Sequence, residues 1–341
     1  MLIQILILIA SLTGIILGAD WLVGGASAIA RRLKVSEFII GLTIVGMGTS
    51  APELVVSLVG AFEGNADVAV GNVVGSNIFN TLLILGLTAL ILPIAITPGN
   101  RRKDIPFNIL ATLLVLGLGM TAALLHFGDN TLSRLDAGIL LLVFAGYIWY
   151  SFAHGDAPED TPGKDTKLWL ALLMILAGLG GLIAGGKFFV DSATNIAHMI
   201  GVSDKFIAIT ILAGGTSAPE LATCIVAAVK KKGQLALGNI IGSNIFNLLL
   251  ILGCAGLVQP ISFDSIDFVD AGALLGSVLL LMLSLFTGKK DRIDRWEGAL
   301  LTLAWLGYMA WLIYEIRYND TYSCNLNPYP RGRVRCLCTN P

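Results

Sequence analysis

Apolar residues run along the chain in blocks of about twenty, separated by short polar breaks. An α-helix of that length crosses a hydrocarbon core of roughly 30 Å. Ten blocks can be marked off, at about 2–30, 36–62, 67–93, 104–126, 132–152, 167–198, 204–229, 234–258, 266–287 and 294–316. Each predicts a transmembrane helix, so the expected fold is an all-α polytopic membrane protein with ten spans. The first block, MLIQILILIASLTGIILGADWL, lacks a basic leading region and is too long for a signal peptide. It therefore reads as the first span. Several blocks contain internal Gly, Ser, Asn or Pro where a simple span would be continuous.

Composition supports the membrane class. Of 341 residues, 55% are hydrophobic and only 13% charged, with a mean hydropathy of +0.81; soluble domains carry about a quarter charged residues. The net charge of −1 gives no reason to expect a nucleic-acid partner. The distribution of Lys and Arg says more than their total. Odd-numbered loops hold fifteen, including Arg31, Arg32, Lys34, Arg101, Arg102, Lys103, Lys230, Lys231 and Lys232; even-numbered loops hold Arg134 and Lys205. Cytoplasmic loops are the basic ones. The expectation is an inner-membrane protein with both termini extracytoplasmic. The long polar stretch 154–166 then becomes a cytoplasmic linker between a first half, 1–153, and a second, 167–317. Five spans per half would make the halves inverted relative to one another. The remainder, 318–341, differs in composition and is either a native extension or an added segment. Of five cysteines, Cys224 and Cys254 read as packing residues within spans, and the other three lie in the last 18 residues without zinc-site spacing.

The chemistry lies in an internal repeat. Gly48-Thr49-Ser50-Ala51-Pro52-Glu53-Leu54 recurs identically as Gly215–Leu221, an offset of 167. Gly75-Ser76-Asn77-Ile78-Phe79-Asn80 recurs as Gly242–Asn247, and Gly71-Asn72 as Gly238-Asn239, at the same offset. Both motifs sit inside apolar spans. Interrupted helices at matching positions of two halves point to a midplane binding site. Pro52 and Pro219 each remove a backbone donor and clash with the carbonyl four residues back. That predicts freed carbonyls near Gly48 and Gly215, and by extension near Gly46 and Ala213. Thr49 and Glu53 are i,i+4, Ser50 and Glu53 are i,i+3, and Ser76 and Asn80 are i,i+4, so each pair shares a helix face. Duplication adds Thr216, Ser217, Glu220, Ser243 and Asn247. The set is oxygen-rich, without imidazole or thiolate, and suits Ca²⁺ or Na⁺.

Plainer readings exist for the same residues. Ser50 to Glu53 also spells a capping box. Gly71, Gly75, Gly238 and Gly242 fit small-residue packing, and Asn80 and Asn247 fit interhelical hydrogen bonding. The glutamates resist such readings, because an ionisable group at mid-bilayer costs roughly 3 kcal/mol and marks an ion path. Outside the motifs, Lys187 and Asp191 are spaced to pair with each other, and Asp20 reads as structural. His126, His154 and His198 lie near span ends without ligand spacing. Asp264, Asp267 and Asp270 read as a solvated loop. Ser50 and Ser217 have no nearby His or Lys base, which argues against an intramembrane enzyme. A cation channel remains a further alternative.

At GTSAPE…GNVVGSNIFN and GTSAPE…GNIIGSNIFN the sequence resembles the cation/Ca²⁺ exchanger superfamily, and within it the prokaryotic sodium/calcium exchangers with two α-repeats. The resemblance covers nearly all of residues 1–317. It implies an antiporter, without cofactor, whose transported ions are Ca²⁺ and Na⁺. Glu53 and Glu220 would be the central carboxylates. Thr49, Thr216, Gly46 and Ala213 would offer backbone carbonyls. Ser50, Ser76, Ser217 and Ser243 would bind flanking Na⁺, and Asn80 and Asn247 would line the centre. Some members have Asp at one of these last two positions, where this chain has Asn at both. The first and sixth spans would form a sliding gate.

Overall fold

The computed structural model describes residues 1–125, 129–155, 166–199, 213–288 and 291–323. His126, most of the linker, the segment 200–212 with Lys205, and the tail from 324 with its three cysteines lie outside the described residues.

The described chain is almost entirely helical. Helix α1 spans Leu2–Leu33. Helix α2 spans Glu37–Thr49 and α3 spans Ala51–Phe62; the two form one apolar pair bent by 47°. Helix α4 is Val68–Ile91, α5 is Ile105–Gly119 and α6 is Arg134–Ala153. The second half supplies α7 (Leu168–Met199), α8 (Ala218–Val229), α9 (Gly233–Val258), α10 (Phe268–Ser284) and α11 (Arg295–Ser323). Among the described residues six helices are long and apolar enough to cross a membrane, or seven if the bent pair is one span. The protein is a multi-pass membrane protein. Helix α5 continues directly from a π-helical segment, Asn100–Asp104, and α10, with 17 residues, is at the lower limit for a full crossing. Helix α11 continues to Ser323, beyond the expected end at 316.

Elements recur at the sequence offset. Helix α3 and its counterpart α8 both have 12 residues and begin one residue after Ser50 and Ser217. A π-helical turn at Phe79–Ile84 in α4 recurs at Phe246–Ile251 in α9. Two short strands in each half cross over to the other half. Strand β1 (Ile94–Ala95) pairs antiparallel with β4 (Arg292–Ile293), and β2 (Thr131–Leu132) pairs with β3 (Ile261–Ser262).

Glycines set the close helix crossings. A Cβ on Gly18 would come within 2.8 Å of the Gly178 carbonyl oxygen, and one on Gly178 within 2.7 Å of the Gly18 oxygen. Gly25 abuts Ala171, and Gly185 abuts Ser11. These contacts ascend along α1 as they descend along α7, so the two equivalent helices run antiparallel. Gly238 and Gly242 of α9 pack against the backbone of Phe38 and Leu42 in α2.

Two expectations about polar residues are corrected. Lys187 and Asp191 form no ion pair among the described residues; both are exposed, where pairing gains little. Asp264 and Asp267 are exposed, as a solvated loop would be, but Asp270 is half-buried. Asp267 caps α10 by accepting from the backbone N–H groups of Val269 and Asp270. Asp270 accepts from the Tyr308 hydroxyl at 2.7 Å, and Asp264 accepts from Ser262 and Asn130. The first half has a matching pair: the Tyr147 hydroxyl donates to Asp104 at 3.0 Å.

Candidate functional site

The two bends bring the motifs together. Ser50 has φ −84° and ψ 9°, and Ser217 has φ −88° and ψ 9°, so the duplicated sequence makes the same local break twice. Each following helix starts with proline in its first turn, where the missing N–H costs nothing. The capping-box reading fails at both places, because neither serine side chain caps its own helix. Instead the hydroxyls cross between halves. Ser50 Oγ donates to Glu220 Oε1 at 2.8 Å, and Ser217 Oγ donates to Glu53 Oε1 at 3.2 Å. A buried carboxylate outweighs a backbone amide as a partner, since hydrogen bonds to charged groups are about twice as strong as neutral ones.

The site is dry. Glu53 and Glu220 are each 1% exposed, and Thr49, Ser50, Ser76, Ser217, Ser243, Asn80 and Asn247 are buried as well. Thr216 and Thr49 stand beside Glu53 and Glu220 respectively. Ser217 Oγ also lies 3.3 Å from Ser76 Oγ. The Gly46 carbonyl is not left free as expected. It accepts the backbone N–H of Ser50 at 3.1 Å and faces the hydroxyls of Thr49 and Ser243, each at 3.3 Å. The reason is that the proline removes the donor to Gly48, one turn before itself, not the donor to Gly46. Ala213 opens a short helical turn, Ala213–Gly215, that leads into Ser217.

Around this centre stand residues that the repeat contained but whose role spacing alone did not reveal. Asn72 Nδ2 donates to the Glu53 backbone carbonyl and to Ser57 Oγ. Its counterpart Asn239 accepts from Thr49 Oγ1 at 3.1 Å and donates towards Cys224 Sγ. Asn244 Nδ2 donates to Thr81 Oγ1 of the other half at 2.7 Å.

What the protein leaves unpaired is informative. Glu53 Oε2, Glu220 Oε2 and both amide atoms of Asn80 and Asn247 are buried without a hydrogen-bond partner among the described residues. Buried polar groups are ordinarily satisfied, and an unpaired one costs about 1–3 kcal/mol, more if charged. Asn80 and Asn247 are the second residues of the two π-helical turns, a distortion frequent at functional sites. Among the buried unpaired atoms, those of Glu53, Glu220, Asn80 and Asn247 include hard oxygen donors of the type that takes an alkali or alkaline-earth cation. Two neighbouring buried acids are held there at a cost that a cation offsets.

The sequence profile of the family described as "Sodium/calcium exchanger protein" matches residues 3–153 and 170–314. The chain belongs to this family. It is an antiporter-family protein, and the family is one of transporters rather than enzymes. The sodium/calcium exchanger MaX1 of Methanosarcina acetivorans is 30% identical over 354 residues, covering 92% of this chain and 99% of that one. The inner membrane protein YrbG of Escherichia coli is 33% identical over 334 residues, covering 92% and 98%. A solved structure of the sodium-calcium exchanger NCX_Mj superposes with a TM-score of 0.77 at 31% identity, covering 90% of this chain and 98% of that one.

Proposed function

We propose that this exchanger-family protein moves Ca²⁺ against Na⁺ by alternating access, binding the ions between two inverted five-span repeats, 1–153 and 167–317. The observation that carries the reading is the reciprocal pair of serine-to-glutamate hydrogen bonds, which leaves one buried oxygen on each acid without a partner. Glu53 and Glu220 bind Ca²⁺, whose charge their two carboxylates neutralise. Thr49, Thr216, Gly46 and Ala213 contribute backbone carbonyls, and Ser50, Ser76, Ser217 and Ser243 serve Na⁺ sites on either side. Asn80 and Asn247 line the centre. With Asn at both of these positions, the site holds two acids among the described residues.

The antiparallel run of the equivalent helices α1 and α7 supports inversion of the repeats. The basic-loop asymmetry supports cytoplasmic placement of the linker and extracytoplasmic termini, in an inner membrane as for YrbG. Cysteines introduced at Gly163 and Asn319 are expected to react with an impermeant reagent from opposite sides of the membrane. Reaction of both from one side would break the five-span separation.

The coupling ion is assigned from the number of oxygens. A site built for protons needs little beyond the acids, whereas four serines and two asparagines flank these. Ca²⁺ uptake into vesicles loaded with Na⁺ at clamped pH is the test, against vesicles loaded with choline and vesicles carrying a pH gradient. Uptake driven by the outward Na⁺ gradient is expected. Uptake that ignores Na⁺ and follows pH would make the protein a proton/calcium antiporter, and conduction of Ca²⁺ without any counter-ion would make it a channel.

A further inference from the structure

The offset of 167 relates Asp20 of α1 to Lys187 of α7, and Glu63 to Lys230. Glu63 ends α3 and Lys230 ends α8, with nearly the same backbone, φ −83° and ψ 1° against φ −79° and ψ 4°. The two positions have thus exchanged sign together: acid on α1 with base after α8, base on α7 with acid after α3. Each half holds two like charges, and each pair taken across the halves, Asp20 with Lys230 and Glu63 with Lys187, is opposite; had either position changed sign alone, both of these pairs would hold like charges. A joint reversal keeps attraction within each pair, and attraction matters only if the two residues meet.

One pair is made in this structure. Lys230 Nζ lies 2.6 Å from Asp20 Oδ1 and donates to the Asp20 backbone carbonyl at 3.1 Å. Its counterpart is not made: among the described residues, neither Glu63 nor Lys187 forms an ion pair. Packing shows the same asymmetry. Helix α1 lies along α8, while α7 has no comparable contact with α3. Between themselves α1 and α7 are joined along their length by the glycine contacts at Gly18, Gly25, Gly178 and Gly185. The pair therefore leans as one body toward α8.

We propose that Asp20–Lys230 and Glu63–Lys187 are two latches that form alternately, the first closing α1 on α8 as seen here and the second closing α7 on α3 in the opposite state. The proposal rests on the alternating-access reading. Both latches are partly exposed, so each is weak. A weak contact suits a switch, which has to release in every cycle, and two of opposite placement keep neither state far below the other.

The test is cysteine cross-linking in proteoliposomes on a background lacking the native cysteines, with Asp20→Cys/Lys230→Cys and Glu63→Cys/Lys187→Cys as the two pairs. Both pairs are expected to form disulfides, each stopping Ca²⁺ uptake until a reductant restores it. If the 63–187 pair never closes while the wild type exchanges normally, the latch is refuted. If both pairs close but no Na⁺ gradient drives uptake in the wild type, the latch stands and the sodium assignment falls. A charge test runs beside it. Lys187→Glu should slow exchange about fivefold, the effect of a surface pair turned repulsive. Adding Glu63→Lys should return the rate to within about twofold of the wild type. Wild-type exchange in Lys187→Glu, or no recovery in a folded double variant, overturns the proposal.

Discussion

Glu53→Gln and Glu220→Gln are each expected to lower Ca²⁺ uptake about a hundredfold or more, while the protein still purifies folded. The two acids are buried, each accepting at one oxygen from a serine of the opposite half and leaving the other without a partner. Losing one partner from a buried charge cluster costs roughly 2–5 kcal/mol of binding, and about 2.7 kcal/mol is already a hundredfold. Stability should move the other way in ion-free buffer. An amide removes one of two mutually repelling buried charges, and such replacements are often neutral or stabilising. Labelled Ca²⁺ uptake in vesicles and thermal unfolding in detergent measure the two effects. Wild-type uptake in both variants would remove the glutamates from the ion path. Collapse of both folds would make them structural.

Gly242→Ala is the second change with a large expected effect. A Cβ at Gly242 would overlap the Leu42 carbonyl and come within 2.6 Å of Leu42 Cα. The obstacle is backbone, which cannot turn aside as a side chain does, so α2 and α9 must separate. Overpacking of this kind typically costs about 1–3 kcal/mol. The damage reaches function because the next residue, Ser243, faces Gly46 across the same crossing. A lower melting temperature together with lost uptake is expected. Gly272→Ala, at an exposed position on α10 with nothing within 4 Å of the added carbon, serves as the control and should change neither. A stable, active Gly242→Ala would show that the two helices are free to slide apart.

How much of this was legible beforehand depends on what a linear pattern carries. The site residues stood out because the two motifs are identical at one offset and lie inside apolar spans. Their partners did not. Spacing places Ser50 and Glu53 on one helix face, which suggests a local cap, but it says nothing of a helix arriving from the other half to offer Glu220. The Asp104–Tyr147 and Asp270–Tyr308 pairs escaped a scan at fixed offset for another reason. The aspartates are 166 apart and the tyrosines 161, because the connections around them differ in length. The four strands have two residues each, too short for any alternation to register. Asn72 and Asn239 were visible as repeated residues. Their work became visible only with the backbone carbonyl and hydroxyl that each one holds.

The crossed strands also impose a timetable on synthesis. Ile94 pairs with Ile293, about two hundred residues downstream. Ribosomes add roughly 5–20 residues per second, so the first half stands in the membrane for some 10–40 s before its strand edge meets a partner. For the first part of that interval, until Ser217 is made, Glu53 lacks its hydroxyl and the first half holds only its own share of the ion site. A nascent chain halted before residue 217 is therefore an inserted protein with an open edge and an uncompensated acid, the form that membrane quality control would be called on to recognise.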